Sequence, residues 1–255
     1  MLRVKQQSNG IVILSIKTVI VATSATMLVS FFLSIWLAMV YNYESAIGTH
    51  CKVANYLPSV SAAISIEPSC YVWRIAIALC SPTRLALAFM HFMYFYNYSR
   101  ANARYKFLCI LCIFFEVLEN LSLIGLTYIS SRELKEVHEM LFLVFQASSM
   151  LFMLCICVMY KKYIKYSDSE NIISEKRTLY SKMSVFALDI LSCLIAVYFF
   201  LRHNRYCEAG VYTMFALCEY VVVVSNIIFH SLVTYHFADR DVRVGCTKDI
   251  LTHYD

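Results

Sequence analysis

The run Phe107-Leu-Cys-Ile-Leu-Cys-Ile-Phe-Phe-Glu-Val-Leu-Glu-Asn-Leu-Ser-Leu-Ile-Gly-Leu-Thr-Tyr-Ile-Ser130 decides the fold. It is apolar and about as long as the ~20 residues a helix needs to cross a ~30 Å hydrocarbon layer. Within it stand Glu116, Glu119 and Asn120, whose i, i+3, i+4 spacing places all three on one helical face. Pointed at lipid, each of these groups would cost several kcal/mol. That face must therefore meet other helices or a wet cavity, and the rest of the chain has to supply its partners. Burial of this kind has two readings. One is an interhelical hydrogen-bond knot that holds a bundle together; the other is a working site, because ionisable groups at this depth are functional candidates.

Outward from that run the same character recurs. The chain has 255 residues, 60% hydrophobic and only 15% charged, which excludes a soluble domain. Apolar stretches at about 18–41, 71–98, 107–130, 139–160, 183–201 and 210–237 predict an all-α polytopic membrane protein. Its six transmembrane helices would form one bundle and a single domain over residues 1–255. Lys17 opens the first stretch and no small-residue cleavage site follows a short apolar core, so this is a retained helix rather than a removable signal. With 5 Gly and 3 Pro and no internal repeat, there is little room for flexible linkers.

Charge sets the orientation. Fifteen Lys and Arg flank the ends that share a side with the N-terminus: three in residues 1–17, three in 99–106, six in 161–182 and three in 238–255. The opposite loops hold five: one in 42–70, two in 131–138 and two in 202–209. The positive-inside bias then predicts cytoplasmic termini. It also accounts for the net charge of +5 without a nucleic-acid partner.

The second stretch carries Arg74 about one turn in, where it can snorkel to the surface, and Arg84 ~20 Å below the lumenal end. Counted back from Ser130, Glu119 lies at ~16 Å and Glu116 at ~21 Å. The depths match, so Arg84 is expected to pair with one or both acids. Pro82, two residues before Arg84, removes a backbone donor and predicts a kink there. Asp189 and Glu219 add acids at ~18 and ~14 Å, leaving a surplus of negative charge if all four ionise. His91 reads as a packed or interfacial histidine.

The longest lumenal loop, residues 42–70, holds His50, Cys51 and the run Asn55-Tyr-Leu-Pro-Ser-Val-Ser61, and is expected to lie on the membrane surface. In an oxidising lumen Cys51 can pair with Cys207, with Cys70 as competitor, or all three can stay free. Most of the 11 Cys lie inside apolar spans and read as small hydrophobes, including Cys109 and Cys112 on a lipid-facing run. Asn97-Tyr-Ser99 and Asn120-Leu-Ser122 match the N-glycosylation pattern but fall at the cytoplasmic edge and inside the bilayer. His203 and Glu208 have the spacing of an acyltransferase His-x4-acid box, against which stands a plainer reading of His203 and Arg202 as headgroup contacts. No nucleophile elbow, P-loop, dinucleotide fingerprint or zinc-protease motif occurs, and no metal site is called for.

Taken together, several of these segments resemble the post-GPI attachment to proteins factor 2 family. The likeness is carried by His50-Cys51, Asn55 to Ser61, Tyr71-Val-Trp-Arg74, Pro82 and Arg84. It continues through Glu119-Asn120, Leu126-Thr-Tyr128, Ser130-Ser131, His138-Glu139, Arg202-His-Asn, Tyr206 to Thr213 and Glu219-Tyr220. Glu116 and Asp189 fall outside the pattern. The resemblance implies a six-span protein of Golgi and endoplasmic reticulum membranes, acting in lipid remodelling of glycosylphosphatidylinositol (GPI) anchors. There it would be needed to return a saturated acyl chain to lyso-GPI, as enzyme or as assisting factor.

On that reading the partners are membrane lipids, GPI-anchored proteins or lyso-GPI, and other remodelling factors. No cofactor is implied beyond an acyl donor such as an acyl-CoA or a phospholipid. Glu119, Asn120, His203 and Glu219 become candidate catalytic residues. Arg74, Arg84, Arg202, Arg205 and Glu208, with Asn55, Tyr56, Ser59 and Ser61, become candidate contacts to phosphate, sugar or inositol. The alternative is a lipid-binding or transport protein for another lipid or cargo. Transport is disfavoured by the lack of inverted repeats and paired broken helices.

Overall fold

The computed structural model describes residues 5–6, 12–98, 102–166, 172–234 and 241–244. Six helices in it are long and apolar enough to cross a membrane. These are α1 (Ile16–Tyr41), α4 (Ser69–Tyr98), α5 (Ala103–Tyr128), α6 (Lys135–Tyr166), α7 (Ile172–Tyr206) and α8 (Val211–Thr234). Two short helices, α2 (Tyr43–Ile47) and α3 (Val60–Ala63), lie in the loop between α1 and α4. That loop is built structure packed on α1 and α8 rather than a strip of chain on the membrane surface. The predicted cytoplasmic loop over 161–182 is mostly helix: α6 continues to Tyr166 and α7 begins at Ile172. Residues 167–171, Ser99 of the first glycosylation match and the end of the last predicted stretch (235–237) lie outside the described residues.

Each boundary has a local cause. Asn102 caps α5, its side chain accepting from the Arg104 amide at 3.0 Å, which satisfies one orphan donor of the first turn. The early start of α7 escapes a hydropathy reading because residues 175–182 are rich in charge. Lys182 is nevertheless fully buried, its Nζ 3.7 Å above the Tyr160 ring, and the Tyr160 hydroxyl donates to Glu175. The aromatic face of α6 thus accommodates charges that look solvated in the sequence.

Before and after the bundle, β1 (Lys5–Gln6), β2 (Val12–Ser15) and β3 (Asp241–Val244) make a three-stranded antiparallel sheet in the order β1-β2-β3. Val12 pairs with Val244 and Ser15 with Asp241, so the strand leading into α1 is bonded to the one that follows α8. The strands before α1 and after α8 therefore lie together at one end of the bundle. The loops after α1, α5 and α7 lie at the other, called here the far end.

Two apolar clusters fill the interior. One centres on Phe95, Phe152, Ile156, Tyr160 and Phe229, the other on Phe31, Trp73, Ile77, Leu123 and Ile227. Along α4, Cys80 belongs to the second cluster and Leu87 to the first, with Arg84 between them. Along α5, Glu116 and Glu119 fall between Cys112 and Leu123 in the same way. A polar layer thus separates two dry ones. Phe89, Phe107, Phe114, Leu121 and Leu194 point outward, as lipid-facing side chains should.

Candidate functional site

Glu119 is the hub of the polar layer. It is completely buried, and its Oε1 accepts from Arg84 Nη2 at 2.9 Å and from Asn226 Nδ2 at 2.9 Å. His230 Nε2 lies 2.8 Å from both Glu119 Oε1 and Arg84 Nη2, so the ring can donate to the carboxylate or accept from the guanidinium. Its other nitrogen is 3.8 Å from Glu116 Oε1, and its face stacks on Phe152. Asn226 reaches on to Ser149 at 2.8 Å, which ties α6 into the layer. The matching depths of Arg84 and the α5 acids therefore do bring them together, with Glu119 as the direct partner. Neither side chain faces lipid.

The neighbouring groups are committed as well. Asn120, 1% exposed, donates to the Ser81 carbonyl at 3.1 Å, beside Pro82, through which α4 runs on as helix. Asp189 on α7 accepts from Ser225 of α8 at 2.7 Å. A cavity of ≈ 30 Å³ beside the layer is lined by Thr23, Ser24, Arg84, Glu116 and His230, room for about one water. Arg84, expected to hold substrate, instead neutralises Glu119. Glu119 and Asn120, expected as catalytic groups, are bonded to neighbouring helices, because a charge or amide left open at this depth would be costly. Cys109 and Cys112 lie inside the bundle rather than on the lipid face, the Cys109 thiol directed at Met159 Sδ, 3.7 Å away.

At the far end a disulfide joins Cys51 to Cys207 across 156 residues, tying the loop after α1 to the end of α7, while Cys70 is a buried free thiol. His50 Nε2 is 3.3 Å from Cys51 Sγ, but sulfurs bonded to each other are not thiolate ligands, so this cluster holds no metal.

Asn55, expected as a sugar contact, is 4% exposed and occupied. Its amide donates to Ile47 O at 2.9 Å and Leu57 O at 3.1 Å, and its oxygen accepts from the Thr213 hydroxyl and the Tyr56 amide. Ser59, also buried, caps α3. Tyr220 OH donates to Pro58 O at 2.6 Å, and Glu219 Oε2 accepts from the Val60 amide at 3.0 Å. Asn55, through Thr213, together with Tyr220 and Glu219 thus clamps the loop onto α8. Tyr56 remains exposed.

The His203–Glu208 pair does not form. Glu208 Oε2 accepts from Arg202 Nε at 2.8 Å, and Arg202 Nη1 donates to Tyr198 OH at 3.0 Å. His203 is buried at the last turn of α7 between the rings of His50 and Tyr212. The helix carries Arg202 and His203 to different faces, and the carboxylate follows the stronger, charged partner. Arg205 stays at the surface beside the Tyr206 ring.

Two polar groups at the far end are differently placed. Arg74 is half-buried and donates through Nε to Thr127 O at 3.3 Å, while Tyr128 OH donates to the Arg74 carbonyl. Among the described residues no acceptor lies within hydrogen-bond distance of its two terminal nitrogens. Two residues further along, the Ile129 carbonyl lies 2.7 Å from His138 Nδ1, whose Nε2 is 3.0 Å from Ser61 Oγ. Glu133, at the surface of the same turn, accepts from the Ser130 amide, which holds its carboxyl below the usual carboxylate range.

Residues 15–240 match the family model described as Frag1/DRAM/Sfk1/Cwh43P N-terminal domain. A Xenopus tropicalis protein named acyltransferase PGAP2 is 36% identical over 95% of each chain. A Drosophila melanogaster protein named post-GPI attachment to proteins factor 2 is 40% identical over 78% of this chain and 76% of its own. The chain belongs to the post-GPI attachment to proteins factor 2 family. A Caenorhabditis elegans member is 36% identical over 81% of this chain and 79% of its own. No solved structure matches this member of the family.

Three residues that the structure makes central were not among the candidate site residues of the sequence. Asn226 and His230 follow Glu219 at intervals of seven and four, a helical stripe that marks one polar face of α8 and was legible in principle. His138 stood among the residues that carry the family resemblance, but nothing in the sequence tied it to Ser61 and Ile129, which come from other elements.

Proposed function

We propose that this protein returns an acyl chain to lyso-GPI during GPI-anchor lipid remodelling, acting itself as the acyltransferase. The observation that carries the reading is the 36% identity over 95% of both chains with a protein named acyltransferase PGAP2. The geometry supports a place for the reaction. Of the groups at the far end, Arg74 keeps its terminal nitrogens open to a phosphate, whereas Arg202 is held by Glu208 and Tyr198. A half-buried guanidinium with two unsatisfied donor nitrogens suits the bidentate recognition of a phosphodiester at the head of a lipid.

The setting is a multi-pass protein of secretory-pathway membranes, in the Golgi apparatus and endoplasmic reticulum, with the far end lumenal. A disulfide there accords with an oxidising compartment. Its partners are lyso-GPI, GPI-anchored proteins carrying it, and the lipid that donates a saturated chain.

The test is reconstitution of the purified protein with lyso-GPI and a labelled acyl-CoA or phosphatidylcholine. Labelled diacyl product is expected. Arg74→Ala should raise KM for lyso-GPI by roughly tenfold, the loss of one charge-assisted hydrogen bond, with little change in kcat. Saturable binding of lyso-GPI without product from any donor would replace the enzyme by a presenting factor.

A further inference from the structure

We propose that Ser61 is the nucleophile of this protein and His138 the base that activates it, so that the acyl chain rests as an ester on Ser61 between donor and acceptor. The inference builds on the acyl-transfer reading above. Its geometric basis is a relay of three groups from three elements. Ser61 on α3 meets His138 Nε2 at 3.0 Å, and His138 Nδ1 meets the Ile129 carbonyl at 2.7 Å.

A carbonyl oxygen only accepts, so His138 Nδ1 carries the proton and donates. In the neutral ring Nε2 then presents its lone pair, and the Ser61 hydroxyl must be the donor. This order of nucleophile, base and orienting acceptor is the one that activates a serine, with a backbone carbonyl in the orienting place. The carbonyl is itself fixed, because the Ile129 amide donates to Gly125 O at 2.8 Å at the end of α5. His138 is 5% exposed and held, while Ser61 stays partly open. Arg74, bound two residues away on the same helix end, would place a lipid phosphate beside them.

The chemistry closes without any further reagent. In the first half, Ser61 Oγ attacks the acyl carbonyl of an ester or thioester donor while its proton passes to His138 Nε2. The donor's acyl C–O or C–S bond breaks, and the leaving alkoxide or thiolate takes that proton. In the second half, the glycerol hydroxyl of lyso-GPI gives its proton to Nε2 and attacks the Ser61 ester. The Oγ–acyl bond breaks and Oγ recovers the proton.

The experiment uses the full chain in lipid nanodiscs with two probes. Fluorophosphonate-biotin should label one serine, mapped to Ser61 by peptide mass spectrometry. Labelling should be absent in Ser61→Ala and at least tenfold slower in His138→Gln. Given stearoyl-CoA or a saturated phosphatidylcholine alone, the protein should gain one acyl mass that resists neutral hydroxylamine, as an oxygen ester does and a cysteine thioester does not. Ser61→Cys should carry an adduct that hydroxylamine removes. Retention of the Cys51–Cys207 disulfide and monodisperse elution verify that each variant is folded; Ser61→Cys and His138→Gln supply the test if Ser61→Ala fails this check.

If folded Ser61→Ala still transfers acyl chains to lyso-GPI at the wild-type rate, the inference falls and the acyltransferase reading stands. A wild-type protein that takes neither probe also overturns it. If Ser61 is acylated but the chain is never passed on to lyso-GPI to give the diacyl anchor, the inference stands and the proposed acceptor is wrong.

Discussion

Arg84 and Glu119 show how a charge is tolerated in the middle of a membrane bundle. Desolvating either alone is costly, and the 2.9 Å contact between them, with Asn226 and His230 on the same carboxylate oxygen, supplies the compensation. Arg84→Ala should therefore destabilise the protein by about 3–5 kcal/mol, because it strands a buried carboxylate. The double variant Arg84→Met with Glu119→Met should recover much of that loss, since both charges leave together. Thermal unfolding in detergent reads the difference, and a double variant less stable than the single one would show that the pair is not the source. This contact was legible in the sequence because helical rise turns residue numbers into depths. What depth does not give is azimuth, so the sequence could not say that Glu119 rather than Glu116 faces Arg84, or that His230 closes the group.

At the scale of elements, the loop between α1 and α4 is fastened to the rest at several points. Asn55 bridges the chain to itself and to Thr213, Glu219 holds the Val60 amide, and the disulfide reaches the end of α7. Since Ser61 follows directly, these fasteners set where its hydroxyl stands. Asn55→Ala leaves two backbone carbonyls and the Thr213 hydroxyl short of partners, a cost of about 1–3 kcal/mol. It should also slow fluorophosphonate labelling of Ser61 more than Tyr56→Phe, whose parent side chain is exposed. Equal rates in the two variants would mean that the loop is held by other contacts. Removing both halves of the disulfide as Cys51→Ser and Cys207→Ser should lower stability by about 2–4 kcal/mol, read by the same unfolding assay. The His203–Glu208 box misled for a reason of geometry: a spacing of five falls outside the i+3 and i+4 positions that meet on a helix, so the turn between the two residues decides whether they pair. Here α7 ends at Tyr206 and Cys207 takes a left-handed φ of 49°. The Ser61–His138 contact was hidden for the opposite reason, as its residues lie 77 apart and meet only once the helices pack.

The whole molecule divides its labour along the membrane normal: a sheet and basic flanks at one end, a closed polar layer in the middle, and open polar groups at the other end. Six spans return the chain to the side on which the first began, and there β2, which leads into α1, pairs with β3, which follows α8. The hydrophobic pattern made the six spans legible, whereas the sheet was not, because Val12–Ser15 reads as an extension of the apolar stretch behind it. The proposed reaction adds a requirement: Ser61, His138 and Arg74 must face the lumen, where GPI anchors present their heads. Positive charge on the terminal side predicts that orientation. In cells permeabilised only at the plasma membrane, epitope tags at either terminus should be reached by antibody. A tag inserted after Arg132, on the exposed turn between α5 and α6, should be reached only when internal membranes are opened as well. A reversed pattern would put Ser61 on the cytosolic face, away from any GPI head, and would rule out the acceptor proposed here while leaving the packing of the bundle unchanged.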